Sequence, residues 1–468
     1  MRWRRVLPAA GLLAGWVATG WAQSPPVGPP PEAFSACQGL REGTTCAFEA
    51  PHGTVRGTCR RMREPTPVCV PAGGPPGPDP LAGAPAARSP QGAAMRPPRG
   101  PQTPIASRYA GAVRVASRLP DTGQGSCFDD HRAIRCPAPG EPFYGQDAHY
   151  LGAPRDYRVN GDGTVTDRVT GLTWQQAHNP RRLGYRAAEA ACRRLRLGGH
   201  DDWRLPSIRE LYSLADFAGV TGQRAFIDPV FEIHPPDSDQ LHGDRFAATH
   251  RPEMMGQTWS ATRYRGQHWD RPGVQAAFFF NFLDGRIKQA PIDGDGPGLF
   301  YRCVRGPAWG ANDLVANGDG TVTDRAFGLM WQQADDGRAR TWGEALAYCE
   351  ALTLGGHDDW RLPNAKALQS IVDYRRPQPA IDTSVFRIAD PRGWFWSSTT
   401  HGEQPSEAVY VCFGKCTSVE GVDVHGAGAQ RSDPKSGDPA RYRAGRGGQH
   451  DAVRIRNDVR CVRSVDGP

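Results

Sequence analysis

The sequence predicts an α+β protein made mostly of one unit written twice, with a small disulfide-stapled module ahead of it. Three observations predict this. First, Leu197–Pro206 and Leu354–Pro363 are the same ten residues, and Asn160–Arg168 is repeated at Asn317–Arg325; both offsets are 157 residues. A repeat this long means tandem domains, not a solenoid. Second, each copy passes from alternating β-branched residues to helical spacing and back to strand-like runs. Third, all twelve cysteines follow residue 22, and two pairs recur at matched separations in the copies.

Residues 1–22 read as a secretory signal peptide. Arg2, Arg4 and Arg5 form the basic start, Val6–Thr19 the apolar run, and Gly20 and Ala22 the small residues before a cut after Ala22. No other run approaches the length of a membrane span. The expectation is an exported protein that is periplasmic, cell-surface or extracellular, with an even cysteine count engaged in disulfides. The formal charge of +7 drops to +4 once the leader arginines are removed. That excess is too small to predict a nucleic-acid partner.

Residues 34–70 hold Cys37, Cys46, Cys59 and Cys69. So short a segment buries little, and two disulfides replace a core; three pairings are open. Residues 71–108 are dense in Pro, Gly and Ala and read as a linker. Residues 109–155 are a lead-in, with Cys127 and Cys136 clipping a short hairpin.

The repeats span 156–306 and 313–465, and each carries signals enough to fold alone. Each opens with Asn-Gly-Asp-Gly and then Thr-Val-Thr-Asp, a turn feeding a strand, with a second strand at Leu172–Gln175 in copy one. An EF-hand reading of the turn fails. It would put Arg158 and Val169, or Val315 and Ala326, where a calcium loop needs oxygen ligands. Helices follow. Thr341 and Glu344 form a capping box, as do Ser207 and Glu210, and Asn364 caps the matching helix of copy two. Cys192 and Cys349 fall on apolar helix faces, 111 and 112 residues before Cys303 and Cys461. Those separations predict two equivalent bridges, each worth about 4.7 kcal/mol in the chain-entropy picture. Trp203 and Trp360 read as core. Arg204 and Arg361 read as partners of nearby carboxylates, Asp202 and Asp359 or Glu210. His200 and His357 with their following aspartates make a weak metal motif, because neighbours in a tight loop rarely converge on one ion.

The run NGDGTVTD…TGLxW…LGGHDDWRLP…WS[AS]T…RCVR resembles the Lcl C-terminal domain, a bacterial secreted domain mostly of unknown function. The resemblance covers about 150–465. It implies a C-type lectin-like fold, two helices on twisted antiparallel strands, and a distant similarity to formylglycine-generating enzymes through Arg204–Leu211. Some relatives are implicated in adhesion to sulfated glycans. The calcium-dependent sugar motif of C-type lectins is missing, since Gln404-Pro405-Ser406 lacks the aspartate and no Trp-Asn-Asp occurs. The enzyme reading rests on Cys412 and Cys416, which either form a cross-strand disulfide, the reading that an oxidising compartment favours, or a catalytic thiol pair. No nucleophile elbow, zinc-protease motif or phosphate loop occurs, and no cofactor is expected. The expected ligand is an extracellular glycan or protein, with a purely structural envelope role as the third reading. Aromatic faces and arginine forks are the means of binding sugar without calcium. They point to Arg263, Tyr264, Arg265, Trp269 and Arg271 in copy one and to Arg392 and Trp394 in copy two. The copies also differ by stretches near Glu232–Gln257 and Glu420–Gln449, where surface function is expected.

Overall fold

The structure is a computed structural model. It describes residues 35–38, 40–41, 43–50, 53–61, 67–71, 109–234, 256–294, 296, 298–402 and 404–466. The leader, nearly all of the 71–108 linker and residues 235–255 of the first divergent stretch lie outside the described residues. No helix among the described residues is long and apolar enough to cross a membrane.

The chain divides into two units, 1–92 and 93–468. The first contains a meander of β1 (Thr45–Ala50), β2 (Gly53–Arg61) and β3 (Pro67–Pro71). Disulfides Cys37–Cys59 and Cys46–Cys69 choose one of the three open pairings, and all four cysteines are buried.

In the second unit the lead-in supplies β4 (Val113–Arg114), β5 (Cys127–Phe128), β6 (Ala133–Ile134) and β7 (Tyr150–Leu151). Cys127–Cys136 clips the β5–β6 hairpin. Repeat one then runs β8 (Tyr157–Val159), β9 (Thr164–Asp167), β10 (Thr173–Gln175), α1 (Tyr185–Arg194), α2 (Ile208–Ser213), β11 (Gln257–Arg263), β12 (Ala276–Asn281), β13 (Arg286–Pro291) and β14 (Val304–Arg305). Repeat two follows the same order: β15 (Leu314–Ala316), β16 (Thr321–Asp324), β17 (Leu329–Gln332), α3 (Trp342–Glu350), α4 (Ala365–Ser370), β18 (Trp394–Thr400), β19 (Glu407–Cys412), β20 (Gln430–Pro434) and β21 (Val462–Ser464). Both capping boxes form, and Asn364 caps α4 through the Ala367 amide. Each repeat closes a four-stranded sheet on its own last strand, in the orders β14-β10-β9-β8 and β15-β16-β17-β21. Disulfides Cys192–Cys303 and Cys349–Cys461 fasten α1 and α3 beside those last strands.

The repeats, read from sequence as separate folding units, share a sheet and a core. Six strands run β11-β12-β13-β20-β19-β18, so that β13 and β20 join the halves. Strand β12, Ala-Ala-Phe-Phe-Phe-Asn, is buried on both faces, which is why it reads as an unbroken apolar run. Phe278 and Phe280 enter a cluster that also holds Leu211, Tyr212, Leu368, Ile371, Val409 and Val411, residues of both repeats. Ala277 and Phe279, on the other face, join Tyr185, Cys192 and Trp259 of repeat one alone. The pattern is mirrored by Trp342, Cys349, Trp396 and Tyr410 in repeat two. The short helices reach across the join. Lys366 Nζ on α4 donates to the Ser213 carbonyl at 2.7 Å, and Arg209 Nη2 on α2 donates to the Val372 carbonyl at 2.5 Å.

The stretch Glu420–Gln449, expected to be a surface insertion, contains β20. That strand was hidden because Gln-Arg-Ser-Asp-Pro lacks apolar alternation. Its polar residues are satisfied instead by a buried network, with Arg431 on Asp451 and Ser432 on Glu407 at 2.6 Å. Arg204 pairs with Glu210 at 2.6 Å, whereas Asp202 and Asp359 pair with Arg305 and Arg463. Arg361, without a glutamate on α4 to meet, lies over the Tyr150 ring at 5.3 Å.

Candidate functional site

Two loops that exist in only one repeat each meet at one end of the six-stranded sheet. Residues 264–275 join β11 to β12, where repeat two has only the turn 401–406. Residues 413–429 join β19 to β20, where repeat one has only 282–285. The two long loops are tied together. Lys415 pairs with Asp270 at 2.5 Å, and the Asp423 amide donates to the other Asp270 oxygen at 3.0 Å. The Tyr264 hydroxyl donates to Asp423, whose second oxygen accepts from the Gly426 amide at 2.9 Å. Burial pushes the Asp423 carboxyl up to about 6. Burial also acts on Asp270, but Lys415 and the Asp423 amide hold its carboxyl below the usual range.

The 264–275 loop encloses an open groove of about 350 Å³, lined by Arg263, Tyr264, Arg265, Gln267, Val274 and Gln275 among others. A second cavity, between α2 and α4 beside Trp309, has room for about 20 Å³, one water molecule rather than a ligand.

The seven residues proposed for ligand contact separate in this setting. Arg263, Arg265 and Arg271 are exposed and make no ion pair among the described residues. The Arg263 guanidinium lies over Tyr185 at 5.6 Å, and that of Arg271 over Trp269 at 5.5 Å. Trp269 is half-buried and its indole N–H has no acceptor among the described residues. Trp269 and Asp270 both take φ of 53°, a conformation rare for a bulky side chain, fixed here by the Asp270 contacts to the other repeat.

The other three are held by the protein itself. Tyr264 is 5% exposed and stacks edge-on against Phe278 at 5.6 Å, so it is a wall of the groove and a core residue together. Trp394 is 1% exposed; it stacks on Tyr410 at 5.0 Å and donates its indole N–H to the Lys415 carbonyl at 2.9 Å. Arg392 is exposed but grips Asp390 through two 3.1 Å bonds. Tyr264 directly follows β11 and packs on Phe278 of β12, and Trp394 opens β18, a strand buried at every position, so neighbouring strands rather than the local sequence bury both rings.

Cys412 and Cys416 are bonded to each other and fully buried, so neither presents a thiolate. Among the described residues, the groups of potential metal donors that converge contain only disulfide-bonded cysteines and His149; His200 and His357 belong to neither. Sequence reasoning missed Arg302 and Arg460, the first residues of the two Arg-Cys-Val-Arg runs. Each is buried and donates to backbone carbonyls, Arg302 to Gln175 and Glu232, Arg460 to Gln332 and Arg387. Their recurrence in both copies was the available signal.

A family model described as the Lcl C-terminal domain matches residues 163–305 and 320–429. The second match ends where β20 begins. No curated protein and no solved structure matches the chain.

Proposed function

From the premise that the chain belongs to the Lcl C-terminal domain family, we propose that it is an exported recognition protein that binds an anionic extracellular glycan, without calcium, in the groove of repeat one. Six disulfides accord with an oxidising compartment outside the cytoplasm. The C-type lectin-like arrangement belongs to the same proposal. One observation carries the reading: Arg263 and Arg265 line an open groove, Arg271 is exposed on the same loop, and none of the three makes an ion pair among the described residues. Arg392 is held by Asp390, whereas the guanidiniums of Arg265 and Arg271 have no such carboxylate among the described residues, and exposed guanidiniums clustered at one concavity are suited to an external anion. The buried Cys412–Cys416 disulfide favours this reading over the cysteine-dependent oxidase.

Heparin, which carries sulfate and carboxylate, is the probe. The intact protein should be retained on immobilised heparin in chelator, with retention falling as salt rises because exposed contacts are screened beyond about 8 Å at physiological ionic strength. The double variant Arg265→Ala, Arg271→Ala should elute at distinctly lower salt. Equal elution of both proteins would remove the groove as the binding site.

A further inference from the structure

The outer edges of the six-stranded sheet are β11 and β18, one from each repeat. Their registers coincide. Trp259 stands opposite Phe279 and Arg263 opposite Ala277, as Trp396 stands opposite Tyr410 and Thr400 opposite Ala408. The outward amides coincide too. Those of Trp259 and Ala261 donate to the Phe300 and Pro206 carbonyls; those of Trp396 and Ser398 donate to the Asp458 and Pro363 carbonyls. The next outward residue is Arg263 in one repeat and Thr400 in the other. The Tyr264 amide donates to Ala276 and the His401 amide to Glu407. In an antiparallel ladder the neighbouring pair then turns its N–H and C=O away from the partner strand.

At Thr400 this outward pair is occupied by the lead-in. The Gln124 carboxamide oxygen accepts from the Thr400 amide at 2.8 Å, and its nitrogen donates to the Thr400 carbonyl at 2.7 Å. Gln124 is buried in that position. At Arg263 the outward N–H and C=O meet no hydrogen-bond partner among the described residues, and the same residue borders the groove. Repeat one therefore has an open copy of a clamp that repeat two has filled.

We propose that this clamp recognises a uronate residue, its vicinal diol on the Arg263 N–H and C=O and its carboxylate on the exposed guanidiniums of Arg263 and Arg265. The inference rests on the glycan reading above and names the sugar class. The chemistry required is an acceptor and a donor side by side, as Gln124 supplies, with negative charge alongside. Neighbouring ring hydroxyls present an acceptor and a donor at the spacing of a hydrogen-bonded pair. The carboxylate of a uronate meets Arg263 and Arg265 as forked charge-assisted bonds. A sulfate ester satisfies the guanidiniums but supplies no donor to the Arg263 carbonyl.

The test uses the full chain and defined probes in a calorimetric or surface-binding assay. An oligogalacturonate should bind. The same oligomer after periodate cleavage of its diols, with its carboxylates intact, should bind about tenfold more weakly, the cost of a lost hydrogen-bonded pair. Carboxyl reduction should weaken it by at least as much, and the double variant Arg263→Ala, Arg265→Ala, checked for an unchanged melt, should remove the dependence on the carboxylate. Equal binding before and after periodate overturns the clamp. Binding of dextran sulfate with none of the uronate overturns the uronate assignment and leaves the anionic-glycan reading standing. Binding of neither polymer fails that reading itself. Tighter, Arg263-dependent binding of poly-glutamate than of oligogalacturonate would show that the open edge takes a polypeptide, and would overturn the proposal.

Discussion

Ile287 pairs across the middle of the central sheet with Gln430, and each holds the other's place in its own repeat. Phe280 stands opposite Ile287 as Val411 stands opposite Gln430. A strand that meets its own counterpart antiparallel generates a local two-fold relation, the geometry of an isologous dimer. The chain holds that interface within one polypeptide, and the loops that differ between its halves mark where the symmetry is broken.

Separated halves should therefore fare badly. Expressed as 109–306 and 307–468 in an oxidising host, each would expose one side of the shared cluster and an unpaired strand edge, that of β13 or of β20. We expect aggregation or self-association, read by light scattering, and a melt well below that of the intact chain. Two monomeric halves, each melting cooperatively at the parent temperature, would contradict the shared core.

Phe278 is 1% exposed and meets Tyr264 at 5.6 Å and Tyr374 at 4.9 Å, one ring from each repeat. Truncation to alanine opens a cavity at the join, so Phe278→Ala should cost about 3–5 kcal/mol in denaturant unfolding. A loss below about 1 kcal/mol would mean that the join repacks freely.

Trp394 and Trp269 should behave oppositely. Trp394→Ala removes a ring stacked between Tyr410 and the Arg454 guanidinium, which lies 3.8 Å above it. It should lower stability and leave heparin affinity intact in the folded fraction. Trp269→Ala should weaken heparin binding with little effect on the melt. The reverse pattern would place the ligand in repeat two.

Asp147 gives a pH signature. Its carboxyl accepts from the Thr122 and Thr399 hydroxyls, and burial pushes it up to about 7. The folded protein then keeps a proton that the unfolded chain releases from about pH 4. Stability from the neutral carboxyl is complete below that pH and is lost as pH rises through about 7. Asp147→Asn keeps one of the two oxygen acceptors, offers an N–H to the other hydroxyl, and cannot ionise. Its melting temperature, relative to the parent, should rise between pH 5 and pH 8; a difference that is flat or falls would refute the assignment.

The local devices were legible in sequence, and the assembly was not. Thr341 with Glu344 and Ser207 with Glu210 announce helix starts because capping is a short-range geometry. Cys192 and Cys349 were readable because the copies repeat the same separations. The join between repeats escaped because its members no longer look alike. Equivalent residues lie 157 apart at Trp203 and Trp360, 137 apart at Trp259 and Trp396, and 143 apart at Ile287 and Gln430. An isoleucine facing a glutamine carries no signature of pairing. At the site, the arginines of 263–271 stand out in sequence, but the burial of Tyr264 and Trp394 depends on neighbouring strands and on loops from the other repeat. The open clamp at Arg263 is a backbone feature, visible only beside Gln124 on Thr400.

Amide hydrogen exchange with and without a heparin oligosaccharide is the sharpest test of ligand binding in repeat one. Slowed exchange should be confined to 257–281, including the Arg263 amide, with none at 394–412, where the lead-in already fills the equivalent edge. Protection centred on 394–412, or equal in the two repeats, would contradict it.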